Sequence, residues 1–274
     1  MSTAFRVRGI IVLASLFIGV GWNILPAQAQ PETLTIAAAN SLKEALRKVL
    51  PRFEAQHRDV NLRVIYGPSQ SLRKQIEEGA PVNIFLPSLF EEIDQLEAKG
   101  LIIQGTKRTF AATSLVLITG TTLPAPVSSI QDLQTTPIHR IAVGDPKTSS
   151  VGKVAAQFLK YSKLEPKLKS QYVLGEHSRA VLDLVAKGEA EIGVVYRTDA
   201  VPSSAVRILD TAPIASHTPI RYGVAVAWTA QNISAAGDFI EFLLSHTTQT
   251  LLEDLGFDHV SPEAGVPQRE EVKP

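Results

Sequence analysis

The feature that most constrains the fold is a repeated unit, in which a short apolar strand leads through a small polar turn into an amphipathic helix. Three such units open the chain, with strands predicted at 34–38, 61–66 and 82–86 and helices at 41–56, 71–78 and 89–99. Apolar residues recur with helical spacing in the helices, whereas the second strand alternates apolar and polar residues. Successive units of this kind indicate an α/β fold with a mainly parallel sheet and helices on its faces.

A second set of these units follows a longer apolar strand predicted at 110–119. Its strands are predicted at 140–143, 171–174 and 191–196, and its helices at 151–161 and 179–187. Further strands are expected at 206–209 and 220–228, the latter long enough to cross between lobes, and final helices at 235–244 and 247–255. Two similar α/β lobes with a cleft between them are therefore expected. Ligands of open parallel sheets lie beyond the carboxyl ends of the strands.

Composition narrows the class of protein. The chain has 274 residues, 45% of them apolar, which is enough for one large or two modest cores. It has no cysteine, so we expect neither a disulfide nor a lipid anchor attached through cysteine. Its formal net charge is zero, which argues against nucleic acid as a partner. Because no oligomer seam is evident, we expect a monomer.

The first 29 residues have the pattern of a secretory signal peptide. Arg6 and Arg8 precede an apolar run over 9–25, and Ala27-Gln28-Ala29 fits a small-residue cleavage site. We therefore expect export to the periplasm and removal of residues 1–29. The polar, proline-containing segment 261–274 is expected to be a flexible tail.

The turn after the first strand is a candidate anion site. Asn40 and Ser41 are residue types favoured at helix N-caps, and Glu44 follows Ser41 at the spacing of a capping box. A strand ending at a helix N-terminus presents free backbone N–H groups and the positive end of the helix dipole. A capped turn without any ligand is the alternative.

Five turns could meet in one cleft and supply uncharged hydrogen-bond donors. They lie at Ser41, Ser69, Val151, Ser178 and Tyr196. Donors of this kind suit a fully ionised oxyanion, which only accepts hydrogen bonds. A protonated phosphate would also need an acceptor, and Asp145 and Glu176 are near enough in sequence to keep phosphate open. The alternatives are helix caps without ligand and a half-buried strand tyrosine.

An enzyme is disfavoured by the motifs. The sequence has no G-x-S-x-G elbow, no H-E-x-x-H, no Walker loop and no cysteine nucleophile. The six histidines are scattered without metal-ligand spacing. A cytoplasmic effector domain of the same two-lobed shape is disfavoured by the signal segment.

At these residues the sequence resembles the periplasmic molybdate-binding proteins (ModA) of ABC importers. The matching segments are A-A-A-N-S-L-K-E-A-L (37–46), S-L-R-K-Q-I-E-E-G-A-P (71–81), A-V-G-D-P (142–146), R-A-V-L-D-L-V-A-K-G-E-A-E-I-G-V-V-Y-R-T-D-A (179–200) and G-F (256–257). They occur in order over nearly the whole mature chain.

The resemblance implies a type II periplasmic-binding-protein fold that clamps molybdate or tungstate between two lobes. It implies ligand contacts from Ser41 and Ser69 in the first lobe and from Val151, Ser178 and Tyr196 in the second, with no cofactor and no direct metal-ion ligand. We expect 30–112 and 229–260 to form lobe 1 and 113–228 to form lobe 2. The expected partner is the membrane permease of an ABC importer. Sulfate, thiosulfate and phosphate remain alternative ligands.

The sequence departs from the family pattern at three places. Asn83 stands where an aspartate is usual, Pro87-Ser88 replaces Ser-Ala, and His177 stands where the family often has an acid. A histidine that protonates near pH 6.5 would add attraction for an anion in acid. A solvent-facing histidine without that role is the alternative.

Overall fold

A computed structural model describes residues 32–122, 127–258 and 260 of the chain. The expected signal peptide (1–29) and tail (261–274) lie outside the described residues. The strands, in chain order, are β1 (Glu32–Ala39), β2 (Val60–Gly67), β3 (Ile84–Leu86), β4 (Arg108–Thr113), β5 (Leu115–Gly120), β6 (Ile141–Gly144), β7 (Tyr172–Gly175), β8 (Ile192–Tyr196), β9 (Val206–Thr211) and β10 (Ile220–Val226).

The helices follow the strands much as the repeated pattern predicts. They are α1 (Lys43–Gln56), α2 (Ser69–Glu77), α3 (Glu91–Glu97), α4 (Ser150–Tyr161), α5 (Glu165–Leu168), α6 (Ser178–Ala186), α7 (Arg197–Ala200), α8 (Ile233–Leu244) and α9 (His246–Glu253). A 3-10 turn (Asn40–Leu42) joins β1 to α1. Within the described ranges, no helix combines the length and the apolar character needed to span a bilayer.

Two five-stranded sheets define the two lobes and confirm the two-lobed α/β prediction. The first lobe is built on the sheet β2-β1-β3-β10-β4, and the second lobe on the sheet β7-β6-β8-β5-β9. In each sheet three neighbouring strands are parallel, and the fourth strand runs antiparallel to them. The two lobes thus share one strand arrangement, and the ends of their parallel strands can face each other.

The chain crosses from the first lobe to the second within the segment predicted as one strand at 110–119. That prediction is wrong, because β4 ends at Thr113 and β5 begins at Leu115, with Ser114 between them. β4 pairs with β10 in the first sheet, whereas β5 pairs with β8 and β9 in the second. One apolar run therefore serves two separate sheets.

The chain returns to the first lobe between β9 and β10, earlier than the boundary expected at 228. β10 is hydrogen-bonded between β3 and β4, so it lies wholly in the first sheet and does not cross between lobes. The sheet pairing decides this, since an apolar strand fits either core by its sequence alone. In each lobe the antiparallel fourth strand is the first strand that the chain forms after crossing over.

Both faces of each sheet are covered, as parallel sheets require. Alternate residues of β1 divide between two clusters, with Ile36 in the central core and Ala37 packed with Ile76 of α2. In the second lobe, Val116 and Ile118 of β5 pack in a cluster with residues of α6. Burial on both faces holds the turns at the strand ends in fixed positions.

Candidate functional site

One cavity between the lobes brings together all five residues singled out from the sequence. Its lining includes Ser41, Ser69, Val151, Ser178 and Tyr196. The cavity lies beyond the carboxyl ends of β1 and β2 in the first lobe and of β6, β7 and β8 in the second. This is the position expected of a ligand site in open parallel sheets.

Ser41 lies in the 3-10 turn after β1 and is buried. The predicted capping box at Asn40, Ser41 and Glu44 is wrong, because neither the turn nor α1 begins with a side-chain cap. The Ser41 Oγ instead accepts a hydrogen bond from the Tyr222 hydroxyl at 3.2 Å. Glu44 accepts one from Arg47. The serine hydroxyl thus serves the cavity rather than the helix.

Ser69 is the first residue of α2 and is also buried. Its Oγ accepts a hydrogen bond from the backbone N–H of Ser88 at 3.1 Å, and the two serine Oγ atoms lie 3.2 Å apart. Ser88 follows β3 and lines the same cavity. A pair of neighbouring hydroxyls therefore faces the ligand space from the first lobe.

The second lobe contributes the first turn of α4. Ser149 caps this helix by accepting from the Gly152 N–H at 3.2 Å. The backbone N–H groups of Ser150 and Val151 lie in the first turn, where a helix offers no internal acceptor. Gly144 permits the close approach, because a Cβ there would lie 2.6 Å from the Gly152 nitrogen. These N–H groups are available to a ligand.

Ser178 and Tyr196 complete the second-lobe side. Ser178 is the first residue of α6, and its Oγ accepts from the Tyr196 N–H at 3.2 Å. Tyr196 ends β8 and is only 1% exposed. Its hydroxyl and that of Ser150 are buried without a hydrogen bond within the described residues. Leaving such a group unpaired costs about 1–3 kcal/mol, so both hydroxyls call for an acceptor in the cavity.

The Tyr196 hydroxyl is a protonated donor throughout the physiological pH range. Burial raises the pKa of Tyr196 well above its usual value; the neighbouring Tyr222 adds to this effect and the Ser88 hydroxyl opposes it. A phenol held in this form donates a hydrogen bond and carries no charge of its own.

The electrostatic character of the cavity comes from backbone rather than from charged side chains. No lysine, arginine, aspartate or glutamate is among the described residues that line it. Helices α2, α4 and α6, of nine, twelve and nine residues, all begin at the cavity. Their N-termini bring partial positive charge and free N–H groups from both lobes, which favours an anion.

The acidic residues that kept phosphate open lie outside the cavity lining. The Asp145 Oδ1 accepts from the Lys147 N–H at 2.8 Å, and Glu176 is exposed. Neither carboxylate lines the cavity. Among the described residues, a protonated anion would find donors there but no carboxylate acceptor, so the arrangement favours a fully ionised oxyanion.

The three departures from the family pattern have different structural outcomes. The Asn83 Oδ1 accepts a hydrogen bond from the Thr35 N–H at 2.7 Å, which ties the start of β3 to β1. An aspartate oxygen could accept the same bond. Ser88, at the second of these departures, lines the cavity. The half-buried His177 caps α6, with its Nδ1 accepting from the Ala180 N–H at 3.1 Å.

His177 does not behave as expected for a histidine that titrates near pH 6.5. Desolvation lowers the pKa of His177, although Glu176 and Asp183 raise it in opposition. The imidazole is therefore neutral at neutral pH, and it also borders the cavity rather than facing only solvent. Protonation of Nδ1 would remove the acceptor that caps α6. Any added attraction for an anion in acid would therefore be accompanied by a loss of stability at the N-terminus of this helix.

A buried carboxyl group lies next to the site but does not line it. Asp199, in α7, is 4% exposed, and its Oδ2 has no hydrogen bond within the described residues. Burial raises the pKa of Asp199 to about 6, against the opposing effects of the Ser178 hydroxyl and Arg179. This group is neutral in mild acid and charged above it.

Several residues at or near the cavity were missed by reasoning from the sequence. They are Ser88, Ser149, Ser150, Thr198, Asp199 and Tyr222. Ser149 and Ser150 precede a predicted helix, so their capping signal was available in the sequence. Ser88 follows a predicted strand, so its position was also marked locally. Thr198, Asp199 and Tyr222 act through contacts between distant segments, and no local pattern marks them.

A family model described as bacterial extracellular solute-binding protein matches residues 34–258 of the chain. The molybdate-binding protein ModA of Haemophilus influenzae is 30% identical over 252 residues, which cover 90% of this chain and 96% of that protein.

Solved structures share the same fold. The periplasmic molybdate-binding protein of Azotobacter vinelandii superimposes with a TM-score of 0.75 at 20% identity, covering 83% of this chain and all of that one. The sulfate-binding protein SubI of Mycobacterium tuberculosis gives a TM-score of 0.73 at 20% identity, covering 85% and 88% of the two chains. At this identity the two matches establish the fold alone.

Proposed function

This chain belongs to the ModA family of bacterial extracellular solute-binding proteins of ABC importers, and from that membership we propose that it binds molybdate and tungstate between its two lobes. In this proposal it works in the periplasm, after loss of residues 1–29, and delivers the anion to a membrane permease. It acts as a monomer and catalyses no reaction. Closure of the lobes around the anion creates the surface that the permease recognises.

The observation that carries the proposal is the donor set of the cavity. Two buried hydroxyls, those of Tyr196 and Ser150, need an acceptor, and no carboxylate from the described part of the chain lines the space that they share. A tetrahedral dianion accepts hydrogen bonds on every side, and because it carries no proton it needs no acceptor from the protein. Uncharged donors also avoid the cost of desolvating a lysine or arginine.

The proposed contacts come from both lobes. Ser41 and Ser69 donate from the first lobe through their hydroxyls, while the second lobe supplies the Val151 N–H and the side chains of Ser178 and Tyr196. Ser41 accepts a hydrogen bond from Tyr222, which leaves its own proton for the anion. The Ser69 proton is available to the anion when Ser88 is the donor in the contact between the two serine hydroxyls. The donors thus surround the anion, and the lobes must approach each other to complete the set.

Sulfate is the second candidate, because the same uncharged donors suit any fully ionised tetrahedral oxyanion. The structural likeness to a sulfate-binding protein is compatible with it at the level of the fold. Molybdate and sulfate would then be told apart by the size of the closed cavity, since bonds from molybdenum to oxygen are longer.

Calorimetric titration of the purified protein with molybdate, tungstate, sulfate and phosphate tests the proposal. We expect saturable one-to-one binding of molybdate and tungstate, and a rise in melting temperature that grows with their concentration. Binding of sulfate alone would identify sulfate, the second candidate, as the ligand. Absence of heat and of stabilisation with both molybdate and tungstate would refute the proposal.

Substitution of the two first-lobe serines tests the contacts. Ser41→Ala and Ser69→Ala should each weaken binding by about 1–3 kcal/mol, the scale for a lost hydrogen bond to a charged group, which is about 5- to 150-fold in Kd. Ser204→Ala, at an exposed serine in the second lobe, is the matched control and should leave Kd unchanged. Wild-type affinity in both site variants would show that the anion lies elsewhere.

A further inference from the structure

The Tyr222 side chain lies where the two lobes meet behind the cavity. Tyr222 belongs to β10 of the first lobe and has no exposed surface. Three rings surround it, with centroid distances of 5.1 Å to Phe257, 6.1 Å to Phe110 and 6.3 Å to Tyr196. Since these contacts hold the ring on several sides, its hydroxyl has a fixed position.

That hydroxyl makes two hydrogen bonds, one within its own lobe and one to the other lobe. It donates to the Ser41 Oγ at 3.2 Å, across 181 positions of sequence. It also lies 3.1 Å from the Oγ1 of Thr198, a buried residue of α7 in the second lobe. Neither Tyr222 nor Thr198 lines the cavity, so neither is placed to touch the anion.

The direction of these hydrogen bonds follows from counting protons. A tyrosine hydroxyl has one proton, and Tyr222 uses it on Ser41. Thr198 must therefore be the donor in the second bond. The order is Thr198 to Tyr222 to Ser41, and the Ser41 proton is then left to point into the cavity.

The hydroxyl of Tyr222 stays protonated over the working pH range. Burial raises the pKa of Tyr222 far above its usual value, and Asp199 adds to the effect, while Ser41 and Thr198 oppose it. The order of donors is therefore not disturbed by ionisation of the phenol.

We propose that Tyr222 is a positioning residue for anion binding, which fixes the direction of the Ser41 hydroxyl and links it to the approach of the second lobe through Thr198. The inference rests on the proposed function, because it assigns Ser41 as an anion donor. Hydrogen bonds in such a chain polarise one another, so each donor strengthens the next. With the lobes apart, Thr198 no longer donates to Tyr222, so the hydrogen bond between Tyr222 and Ser41 is free to reverse and the Ser41 proton is no longer directed into the cavity.

Tyr222→Phe removes the hydroxyl and keeps the ring. We expect molybdate binding to weaken by about 5- to 50-fold, the range for a lost or misdirected donor to a charged acceptor. Thr198→Val, which removes the first donor and keeps the shape, should weaken binding in the same sense by a smaller factor. Tyr172→Phe is the matched control, because Tyr172 has a buried hydroxyl without a hydrogen bond in the described chain and lies outside the cavity lining. The Kd of Tyr172→Phe should stay within about twofold of wild type, which is the size of effect expected of a substitution outside the site.

A double-mutant cycle separates positioning from a general structural role. In the Ser41→Ala background the phenol has no serine to direct, so Tyr222→Phe should change Kd by less than about twofold. An equal loss of affinity in both backgrounds, or wild-type affinity of Tyr222→Phe, would overturn the inference. If Tyr222→Phe does not fold, the same cycle with Thr198→Val decides the question by the same criteria.

The failure of the inference is distinguishable from that of the proposed function. Wild-type protein that binds none of molybdate, tungstate, sulfate and phosphate overturns both. Wild-type protein that binds molybdate, while the cycle gives additive losses, overturns the role of Tyr222 alone. Melting curves without ligand are recorded for every variant, so that a loss of affinity is compared only among folded proteins.

Discussion

Replacing Asp199 by asparagine should stabilise the unliganded protein at neutral pH and leave it almost unchanged in acid. Asp199 is buried, and its Oδ2 has no hydrogen bond within the described residues. Charging this carboxyl group in the folded state is therefore unfavourable. Asparagine has nearly the same shape and never acquires the charge.

The size of the effect follows from the raised pKa. Burial raises the pKa of Asp199 from 3.8 to about 6, with Asp183 and Glu44 adding to the rise and Ser178 and Arg179 opposing it. At about 1.4 kcal/mol for each tenfold change in an ionisation constant, this corresponds to up to about 3 kcal/mol of lost stability when the group is charged. For a chain of this size that is roughly 6–12 °C in melting temperature.

The sign and the pH window are set by linkage. Between about pH 4 and pH 6 the folded protein keeps a proton on Asp199 that the unfolded chain has already released. The free energy of unfolding of the wild type therefore falls as pH rises through this window, and the full penalty is present above it. Asp199→Asn lacks this contribution, so the stability difference between the two proteins grows from about 0.5 kcal/mol at pH 4 to its full value at pH 7.

Urea denaturation of both proteins at pH 4, 5, 6 and 7, without anion, measures that difference directly. Other titrating groups are common to both proteins and cancel. Asp59→Asn, at an exposed aspartate, is the matched control and should differ from wild type by less than about 0.5 kcal/mol at every pH. A variant that is less stable than wild type at pH 7, or a difference independent of pH, would show that the carboxylate is stabilised in the fold.

Two further predictions concern the cavity and its walls. Tyr196→Phe should weaken molybdate binding by about 1–3 kcal/mol in calorimetry. It should leave the melting temperature without ligand unchanged or higher, because the lost hydroxyl has no hydrogen bond within the described residues. Wild-type affinity of this variant would show that Tyr196 does not contact the anion. Gly152→Ala should destabilise the protein by about 1–3 kcal/mol in urea, since a Cβ there would lie 2.5 Å from the carbonyl oxygens of Gly144 and Asp145. The control Gly237→Ala, where a Cβ meets nothing within 4 Å in α8, should instead stabilise by about 0.5–1 kcal/mol, and a stabilised Gly152→Ala would contradict the packing argument.

Strand and helix periodicity predicted most of the fold because each unit is defined locally. The parallel strands and their helices begin and end within a few residues of the predicted limits, as at β1 and α4. The segment 110–119 was predicted as one strand because it has no glycine or proline before residue 120. Its division at Ser114 arises from pairing with β10 on one side and with β8 and β9 on the other, which only the folded chain defines.

Site residues that directly follow predicted strands could be predicted from the sequence. Residues that reach the site through contacts with distant segments could not. Ser41 and Ser69 stand two residues after the ends of β1 and β2, so a rule about strand ends locates them. The capping prediction was wrong for Ser41, because its hydroxyl accepts from Tyr222 rather than from the start of a helix. A contact across 181 positions, as between Ser41 and Tyr222, has no signature in either local sequence.

The position of β10 also governs the order in which a newly made chain can fold. The second sheet is encoded as one uninterrupted segment, from β5 to β9, and all its strands are available once residue 211 has been synthesised. The first sheet stays incomplete until residue 226, because β10 lies between β3 and β4. Until then a nascent chain carries an open strand edge, the kind of surface that invites chaperone binding or misassembly. The first-made lobe is therefore the last to be finished.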